Sequence, residues 1–468
     1  MLALQSLLVG LALLHVQASG ARAARITRAA PPLETEVVGR PPPPDVLVIL
    51  GDDFNWIDLQ SVAAPNIAAL ASQGMTFRNG YVFPLCSITR YSLLFGRYPQ
   101  RDGIGGLVAT APPGPGNPTP TMGLPTLPTV MRSVSSGAYH SALIGKWHLG
   151  TNPDYDGNPA PDIGAEDIGA FTPILHGFDR FLAGNMDSSP LPTYFNWSRV
   201  DDGVYSTSTV YAPQAQLDAF VQWWEFNSRR LAVFCTPLAH APLHVPPPEW
   251  LPPGHPTPAN SRQRFEAMVV ACDTLVGRIL EHVDLAHTYV FFLTDNGTQR
   301  AVSVTPCPPD AEFAGCTKTT VWQGGINMPF VVAGPGIPPG SVTDAVVSST
   351  DVMATLGELF DVPSPGEDSI SFAPVLFDPD ARTRHIAFSE VFGTFFDQNG
   401  QPYFRHEVAA IGERYKLRVL DDSEEFLYDL QNDPGETQRL DVDDPTLATV
   451  VDELRAVVAD PLDRTLQE

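Results

Sequence analysis

Two apolar segments that each end in polar residues constrain the fold of this chain more than any other feature. Residues 46–50 and residues 289–293 are continuous apolar runs. Such runs are typical of strands that are buried on both faces, as in the parallel sheets of α/β proteins. Open α/β sheets bind their ligands at the carboxyl ends of the strands. The sequence therefore predicts an α/β fold with its functional site directly after these two runs.

Oxygen-bearing side chains follow both runs. The first run leads into Asp52 and Asp53, and the second leads into Asp295 and Asn296. Adjacent carboxylates repel each other unless a cation lies between them, and this all-oxygen set suits Ca²⁺, or less well Mg²⁺, rather than zinc. The alternatives are an aspartate pair that caps the next turn and an Asn-Gly turn. Residues 296–298 also form a glycosylation sequon, which conflicts with a metal-binding asparagine.

Cys86 opens a helix-like pattern over residues 86–95. Leu93 and Leu94 give this pattern an amphipathic apolar face, and Gly96 ends it. A helix N-terminus has unpaired backbone N–H groups and a partial positive charge, so a side chain there can handle an anion. Arg90 lies one turn further on the same face. The alternative is a small buried apolar cysteine.

Further cations follow other predicted strands. Lys146 and His148 come after a strand pattern at 139–143, His240 comes after one at 231–235, and Lys318 lies in the segment 316–329. If residues 146–148 are extended, Lys146 and His148 point to the same side. The chain has only 28 lysines and arginines in 468 residues, so this placement is unlikely to arise by chance. The pattern favours an anion-binding site.

The order of elements predicts two parts. Strands alternate with helices at 65–73, 86–95, 213–226, 262–283 and 351–359, which is typical of a large doubly wound mixed sheet flanked by helices. Short strand patterns then follow at 385–390, 407–411, 415–420 and 426–428, with a final helix at 445–458. We therefore predict a catalytic α/β domain at 45–375 and a C-terminal subdomain at 376–468, built from a small antiparallel sheet and a helix.

The N-terminal region predicts export. Residues 1–20 contain an apolar run at 7–14 followed by small residues, as in a signal peptide, and the run is too short to cross a bilayer. Residues 21–44 form a proline-rich linker. A secreted or periplasmic protein without stable membrane insertion is expected. The net charge of −25 argues against nucleic acid as a partner.

The five cysteines divide into three groups. Cys86 is assigned to chemistry, and Cys307 and Cys316 flank a short proline-containing loop that a local disulfide would close in an exported protein. Cys235 and Cys272 are either buried thiols or a second pair. No Cys-x-x-Cys spacing indicates a zinc site.

Taken together, these motifs resemble the formylglycine-dependent sulfatases, in their arylsulfatase-like branch. The similarity covers about residues 45 to 440, and the motifs occur in the same order as in that family. The motifs that carry it are Asp52-Asp53, Cys86 to Arg90 with Gly96-Arg97, residues 145–150, 240–242, 295–297, Lys318 with Gly324-Gly325, and the stretches 176–181, 267–278, 415–417, 427–430 and 433–436.

The resemblance implies an alkaline-phosphatase-like fold and a specific division of roles. It implies that Cys86 is oxidised to formylglycine by a formylglycine-generating enzyme, and that the substrate is a sulfated small molecule or glycan. Asp52, Asp53, Asp295 and Asn296, with the modified Cys86, are implied to hold the cation. The remaining residues are implied to act on the formylglycine diol or the sulfate: Arg90 and Lys146 hold the diol, His148 accepts its proton, and His240 and Lys318 bind sulfate.

The chain departs from the family at the modification signal. Ile88 stands where the family has proline, and Thr89 where it has a smaller residue, although Arg90 is retained. An unmodified thiol has no second hydroxyl to expel sulfate, so a non-catalytic sulfate-ester-binding protein is an alternative. A second alternative is a phosphate or phosphonate monoester hydrolase of the same superfamily. Its members usually have serine or threonine as the nucleophile and a second metal, so Cys86, Lys146 and Lys318 favour the sulfatase. Residues 151–210 and 298–317 are expected to line the pocket mouth.

Overall fold

The computed structural model describes residues 43–109, 117–134, 138–150, 172–308, 311, 315–363, 365–396 and 401–462. The predicted signal peptide and all but the last two residues of the predicted linker lie outside these ranges, as do residues 151–171 of the predicted pocket mouth. The described residues from 43 onward form one compact unit. The boundary predicted between residues 375 and 376 stays a prediction.

Eleven strands of the described chain form one large mixed sheet. In chain order they are β1 (Asp45–Gly51), β2 (Gly74–Tyr81), β3 (His140–Lys146), β4 (Arg180–Asn185), β5 (Pro192–Thr193), β6 (Asn196–Asp201), β7 (Val204–Ser208), β8 (Arg230–Cys235), β9 (Thr288–Thr294), β10 (Phe330–Ala333) and β11 (Ser341–Ser348). Their order in the sheet is β11-β2-β10-β9-β1-β8-β3-β4-β6-β5, with β7 paired to β6. The five neighbouring strands from β9 to β4 are parallel, and β10 is antiparallel to both of its neighbours. The predicted large mixed sheet is confirmed.

Helices cover this sheet. They are α1 (Trp56–Ser61), α2 (Pro65–Ser72), α3 (Cys86–Phe95), α4 (Leu127–Arg132), α5 (Thr172–Leu175), α6 (Ala212–Phe226), α7 (Ser261–Leu280), α8 (Gln323–Ile326), α9 (Val352–Leu359) and α10 (Ala373–Phe377). The apolar residues of β1 show why helices are needed on both faces of the sheet. Val46 and Val48 belong to one apolar cluster, and Leu47 and Ile49 belong to another. Successive strand side chains point to opposite faces, so an all-apolar strand requires helices on both faces.

The C-terminal region forms a second, four-stranded antiparallel sheet, as predicted. Its strands are β12 (Ala387–Phe396), β13 (Pro402–Ile411), β14 (Tyr415–Leu420) and β15 (Glu424–Asp429), in that order, and α11 (Ala448–Ala459) packs on β13 and β14. Val451, Leu454 and Val457 of α11 are buried. Their spacing of three residues places them on one helix face, which faces the sheet.

Two sequence expectations need comment. Helix α3 begins and ends at the predicted residues, but the prediction of an amphipathic helix was wrong, because all ten of its residues are buried. The cysteine assignments are now settled: Cys307 and Cys316 form a disulfide, and Cys235 and Cys272 are buried free thiols. No helix in the described part of the chain combines the length and apolar character that a membrane crossing needs.

Candidate active site

The register of β1 and β9 brings the four predicted oxygen ligands together. Gly51 of β1 lies beside Thr294 of β9, so the residues that follow both strands meet at the carboxyl edge of the sheet. The Asp53 backbone N–H donates to Asp295 Oδ1 (3.3 Å), and Asn296 Nδ2 donates to Asp53 Oδ1 (2.7 Å). Asn296 is fully buried, which excludes glycosylation of the folded protein at this sequon.

Cys86 lies against these carboxylates at the start of α3. Its Sγ is 3.7 Å from Asp52 Oδ1, and Lys318 Nζ lies 3.3 Å from the same sulfur. No side chain caps the helix at Leu85, so the backbone at the helix start is available to an anion. The thiol is completely buried. The structure therefore confirms that the helix start faces the predicted ligand cluster.

Ser87, the second residue of α3, links the helix to His148. Ser87 Oγ donates to the His148 carbonyl oxygen (2.9 Å) and accepts from the Val108 backbone N–H (3.0 Å). The expected extended segment around His148 was wrong, because His148 adopts a left-handed backbone conformation with φ of 55°. Its buried Nδ1 has no hydrogen-bond partner. Burial, reinforced by Lys146 and Arg90, holds the pKa of His148 well below its usual value, so the ring is uncharged at neutral pH.

Lys146 and Arg90 contact carboxylates rather than Cys86. Lys146 Nζ lies 2.5 Å from Asp52 Oδ2, and Arg90 Nη2 donates to Asp295 Oδ2 (2.9 Å). Arg90 Nη1 also donates to the Lys146 carbonyl oxygen (2.9 Å). All four side chains are essentially buried, so each charge depends on its partner.

Lys318 contacts Asp53, the second carboxylate of the aspartate pair. Its Nζ lies 2.5 Å from Asp53 Oδ1. Its backbone N–H donates to the Thr298 carbonyl oxygen, and the next N–H, of Thr319, donates to the Pro84 carbonyl oxygen. Lys318 is thereby fixed to the loops that follow β9 and precede α3.

His240 also lies next to the Asp53 carboxylate. His240 Nε2 lies 3.6 Å from Asp53 Oδ2, and its Nδ1 lies 2.8 Å from the Ala241 carbonyl oxygen. The Tyr194 hydroxyl donates to the carbonyl oxygen of His240 (2.9 Å) or to that of Pro237 (2.6 Å). Tyr194 therefore supports the backbone that carries the histidine.

The donor set fits a divalent cation. The ligand atoms of Asp52, Asp53, Cys86 and His240 all lie within 4.8 Å of one another. Asn296 Oδ1 is buried without a hydrogen-bond partner. A buried acceptor without a donor is costly unless something pairs with it, and a cation would do so. Compared with the predicted ligand set, this four-membered group includes His240 and leaves out Asp295, whose Oδ2 pairs with Arg90.

Comparison with known proteins identifies the family. A family model described as sulfatase matches residues 44–362, which is more than half of the chain. This chain belongs to the sulfatase family. A second model, described as N-sulphoglucosamine sulphohydrolase, C-terminal, matches residues 312–462. The resemblance stated from the motifs is confirmed.

Individual sulfatases give the same result. Arylsulfatase A of Bos taurus is 29% identical over 452 residues, which cover 85% of this chain and 83% of the relative. N-acetylgalactosamine-6-sulfatase of Homo sapiens is 27% identical, with coverage of 75% and 69%. A solved structure in complex with its substrate D-glucosamine-2-N,6-O-disulfate superposes with a TM-score of 0.66 at 17% identity, covering 90% of this chain and 98% of that one. The protein is a sulfuric ester hydrolase, and the implied alkaline-phosphatase-like fold is confirmed.

Two pKa shifts describe the charge state of this sulfatase site. Burial opposes ionisation of Asp53, but Lys318, His240 and Lys146 together outweigh it and hold the pKa of Asp53 below its usual value. Burial raises the pKa of the Cys86 thiol to about 12, and Asp295 adds to the effect. Asp53 is therefore an anion, while the unmodified thiol keeps its proton at neutral pH.

Gln299 is a close neighbour of the sulfatase site that was not predicted from the sequence. Gln299 Nε2 donates to Asp53 Oδ2 at 2.6 Å, three residues after Asn296. No spacing or charge pattern marks a glutamine as a ligand neighbour, and only its position in the 298–317 segment pointed to it. Gln299 thus contacts Oδ2 of Asp53, whereas Asn296 and Lys318 contact Oδ1 of the same carboxylate.

Proposed function

We propose that this protein hydrolyses a sulfate monoester through a formylglycine hydrate formed from Cys86, beside a bound divalent cation. The observation that carries the proposal is the surroundings of Cys86. Its sulfur lies among Asp52, Asp53, His240 and Lys318, so a group formed at this position meets both a cation site and a lysine. A buried structural cysteine has no need of these neighbours.

The cation is proposed to be Ca²⁺, with Mg²⁺ less favoured. Asp52, Asp53 and Asn296 supply oxygen atoms from two rigid strand ends, and Asp295 supports Asp53 through its backbone N–H. When bound, such a cation withdraws charge from sulfate oxygens and lowers the pKa of a neighbouring hydroxyl. Oxygen ligands on a preformed frame suit Ca²⁺, which accepts irregular geometry more readily than Mg²⁺.

The modified side chain supplies the nucleophile. A formylglycine hydrate carries one hydroxyl that attacks sulfur and a second that allows sulfate to be released, which a thiol cannot do. Lys318, at 3.3 Å from Cys86 Sγ, is placed to hold the group at position 86 or the sulfate that reaches it. His148 is neutral and is proposed to accept the proton of the second hydroxyl.

The leaving alcohol requires a proton. His240 is the second histidine of the site, and burial lowers its pKa to about 4 although Asp53 opposes this effect. We assign His240 to sulfate binding together with Lys318, and one of these two residues to protonation of the leaving oxygen. Lys146 and Arg90 are assigned to holding Asp52 and Asp295 in place, besides the diol contacts that the resemblance implies.

The substrate is proposed to be a sulfated glycan or a sulfated small molecule. Relatives named for sulfated sugars support the glycan: N-acetylgalactosamine-6-sulfatase, and the structure that holds D-glucosamine-2-N,6-O-disulfate. The Cys307–Cys316 disulfide supports export, because such bonds persist in oxidising compartments. A formylglycine-generating enzyme is the partner required for maturation.

Two measurements on one preparation test the proposal. Peptide mass spectrometry of the segment around Cys86 should show formylglycine, and a chromogenic aryl sulfate should be turned over in proportion to the modified fraction. Cys86→Ala is the matched control and should abolish turnover. Faster turnover of the corresponding aryl phosphate would establish the phosphatase alternative. Turnover by fully unmodified protein would refute the formylglycine mechanism.

A further inference from the structure

A cavity of about 1020 Å³ lies beside the catalytic site, between α1, β2 and the C-terminal sheet. None of the residues assigned above to catalysis or to cation binding lines it. Its lining includes Asn327, which precedes β10, Trp56 at the start of α1, and Gln431 after β15. The volume is at the upper end of the range for small-molecule sites.

The charges around this cavity are already neutralised. Arg78 pairs with Asp344 (3.0 Å), Arg414 with Asp429 (2.7 Å), and Glu413 with Arg382 (3.1 Å). The remaining charged lining residue, Glu436, pairs with Lys416. Every charged lining residue therefore has an ionic partner, and the lining contains neither lysine nor histidine. Without a lysine or histidine to bind a sulfate group, this lining favours an uncharged ligand.

The uncharged lining is rich in amides. Asn79, Asn327, Gln60, Gln323 and Gln431 all line the cavity. Asn327 Nδ2 donates to the Arg78 carbonyl oxygen, which leaves Asn327 Oδ1 buried and without a hydrogen-bond partner. Together the lining amides supply both hydrogen-bond donors and acceptors, which suits a ligand that carries hydroxyl groups.

Trp56 supplies an aromatic face among these amides. It is half-buried and lines the cavity with Ile57, which is 37% exposed. An indole side chain next to amide side chains suits a pyranose ring, which offers C–H groups on its faces and hydroxyls at its edge. A purely apolar ligand would leave the amides unpaired, and a purely polar one would leave the indole uncovered.

The wall between this cavity and the catalytic site is thin. Asn55, two residues after Asp53, donates through Nδ2 to Thr305 Oγ1 (2.9 Å) and to the Gly324 carbonyl oxygen (3.1 Å). All three of these residues line the cavity. A ligand held here therefore lies next to the segment that carries Asp53.

From these observations we infer that the cavity is a second carbohydrate-binding site, which takes an uncharged sugar unit. The inference depends on the proposed function in one respect: the proposed glycan substrate is the source of the sugar unit. The catalytic site would hold a sulfated unit, and this cavity an unsulfated one of the same or another glycan chain. Binding here needs neither formylglycine nor the cation.

Ligand-observed NMR and calorimetry test this inference without relying on turnover. The probes are fully N-acetylated chito-oligosaccharides, which carry no charge, added to the full-length protein that is saturated with inorganic sulfate. We expect binding that persists under sulfate. Gln431→Trp, which fills the cavity from an exposed position, should raise Kd by about tenfold or more, and Trp56→Ala should do the same.

Gln222→Trp is the matched control, because Gln222 is an exposed residue of α6 outside the cavity. It should leave Kd unchanged. Neither cavity variant should alter hydrolysis of a small aryl sulfate. Absence of binding by every neutral probe, displacement of the probe by sulfate, or equal Kd in wild type and Gln431→Trp would each overturn the inference. Loss of the proposed function would instead appear as absent sulfate-ester turnover with oligosaccharide binding intact.

Discussion

Lys416 and Glu436 form a buried ion pair that holds the segment after Lys318. Lys416 Nζ lies 2.5 Å from Glu436 Oε1 and 2.5 Å from the Val321 carbonyl oxygen. Glu436 Oε2 accepts from the Gln323 backbone N–H (2.6 Å). The C-terminal sheet is thus connected to residues that lie three and five positions after Lys318. The chain has only three lysines, and the other two, Lys146 and Lys318, lie in the catalytic site.

Breaking this pair should loosen the Lys318 segment. Lys416→Met leaves Glu436 buried without an ionic partner and should lower the free energy of unfolding by about 3–5 kcal/mol. It should also weaken inhibition by inorganic sulfate, because the Val321 carbonyl loses its donor. Urea unfolding and sulfate inhibition constants measure the two effects.

A double variant distinguishes the cost of an unpaired buried carboxylate from the loss of the contact with the Val321 carbonyl. The double variant with Lys416→Met and Glu436→Gln buries no charge and should recover much of the lost stability, while sulfate inhibition stays weak. Arg382→Met, in an exposed pair with Glu413, is the control and should cost less than about 1 kcal/mol. Unchanged sulfate inhibition in the Lys416 variants would show that the pair has a purely structural role.

Lys318 should contribute directly to sulfate binding. Lys318→Ala removes a charged hydrogen bond and should weaken sulfate inhibition by about 1.5–3 kcal/mol, which is roughly ten- to 150-fold. Arg180→Ala, an exposed cation on β4, is the control for loss of one positive charge. Equal sulfate affinity in wild type and Lys318→Ala would refute the assignment.

Chelation should affect both activity and stability. A bound cation neutralises the repulsion between Asp52 and Asp53, so its removal should lower Tm, and added Ca²⁺ should restore Tm more effectively than Mg²⁺. Asn296→Leu should abolish the Ca²⁺-dependent rise in Tm. The metal assignment fails if chelation leaves both Tm and turnover as they were.

His176 should make the protein sensitive to acid. It packs edge-on against Phe95 and stacks on Trp147, and burial lowers its pKa to about 4, although Asp102 opposes the effect. The unfolded histidine binds a proton near pH 6.5 and the folded one only near pH 4, so this contribution to stability falls as pH drops through that window. The slope should approach about 1.4 kcal/mol per pH unit.

His176→Phe should flatten this part of the stability curve. The measurement is urea unfolding between pH 4 and 7 for wild type, His176→Phe and His140→Phe, where His140 is an exposed residue of β3. His140→Phe should retain the wild-type slope. A wild-type slope in His176→Phe would exclude His176 as the source.

Ile88→Pro should increase maturation of Cys86. The modifying enzyme acts on an extended chain, which proline favours, whereas position 88 is the third residue of α3 in the folded protein. The formylglycine fraction and the specific activity should rise together, with unchanged activity per modified molecule. Ile88 is fully buried, so the loss of its side-chain packing should cost about 1 kcal/mol or more. Complete conversion of the wild-type peptide would contradict the idea of under-modification.

Local patterns predicted the frame of the site. The apolar runs of β1 and β9 fixed the positions of Asp52, Asp53, Asp295 and Asn296, because strand ends in a parallel sheet must share an edge. Gly96, which has a left-handed conformation, ended α3 at the predicted residue. The strand ends and the helix boundary depend on residues that are close in sequence, and the general arrangement of parallel sheets brings the strand ends together, so both can be predicted from local patterns.

Other features arise only from packing. Every residue of α3 is buried because segments distant in sequence, among them α9, pack against it, and no periodicity within the helix reveals them. The left-handed backbone of His148 is stabilised in part by Ser87 from another segment. Gln299 and Lys416 act through contacts with residues that are distant in sequence, Asp53 and Glu436. Their residue types alone did not distinguish them from surface side chains.

The burial of all three lysines changes how the protein meets amine-directed chemistry. Lys146 and Lys416 are fully buried and the Lys318 side chain is 11% exposed. Acylating or cross-linking reagents that modify lysine side chains will therefore react slowly with the native fold and quickly once it opens. Two of these amines lie in the candidate active site and the third supports it. The rate of lysine labelling therefore measures how often that site opens.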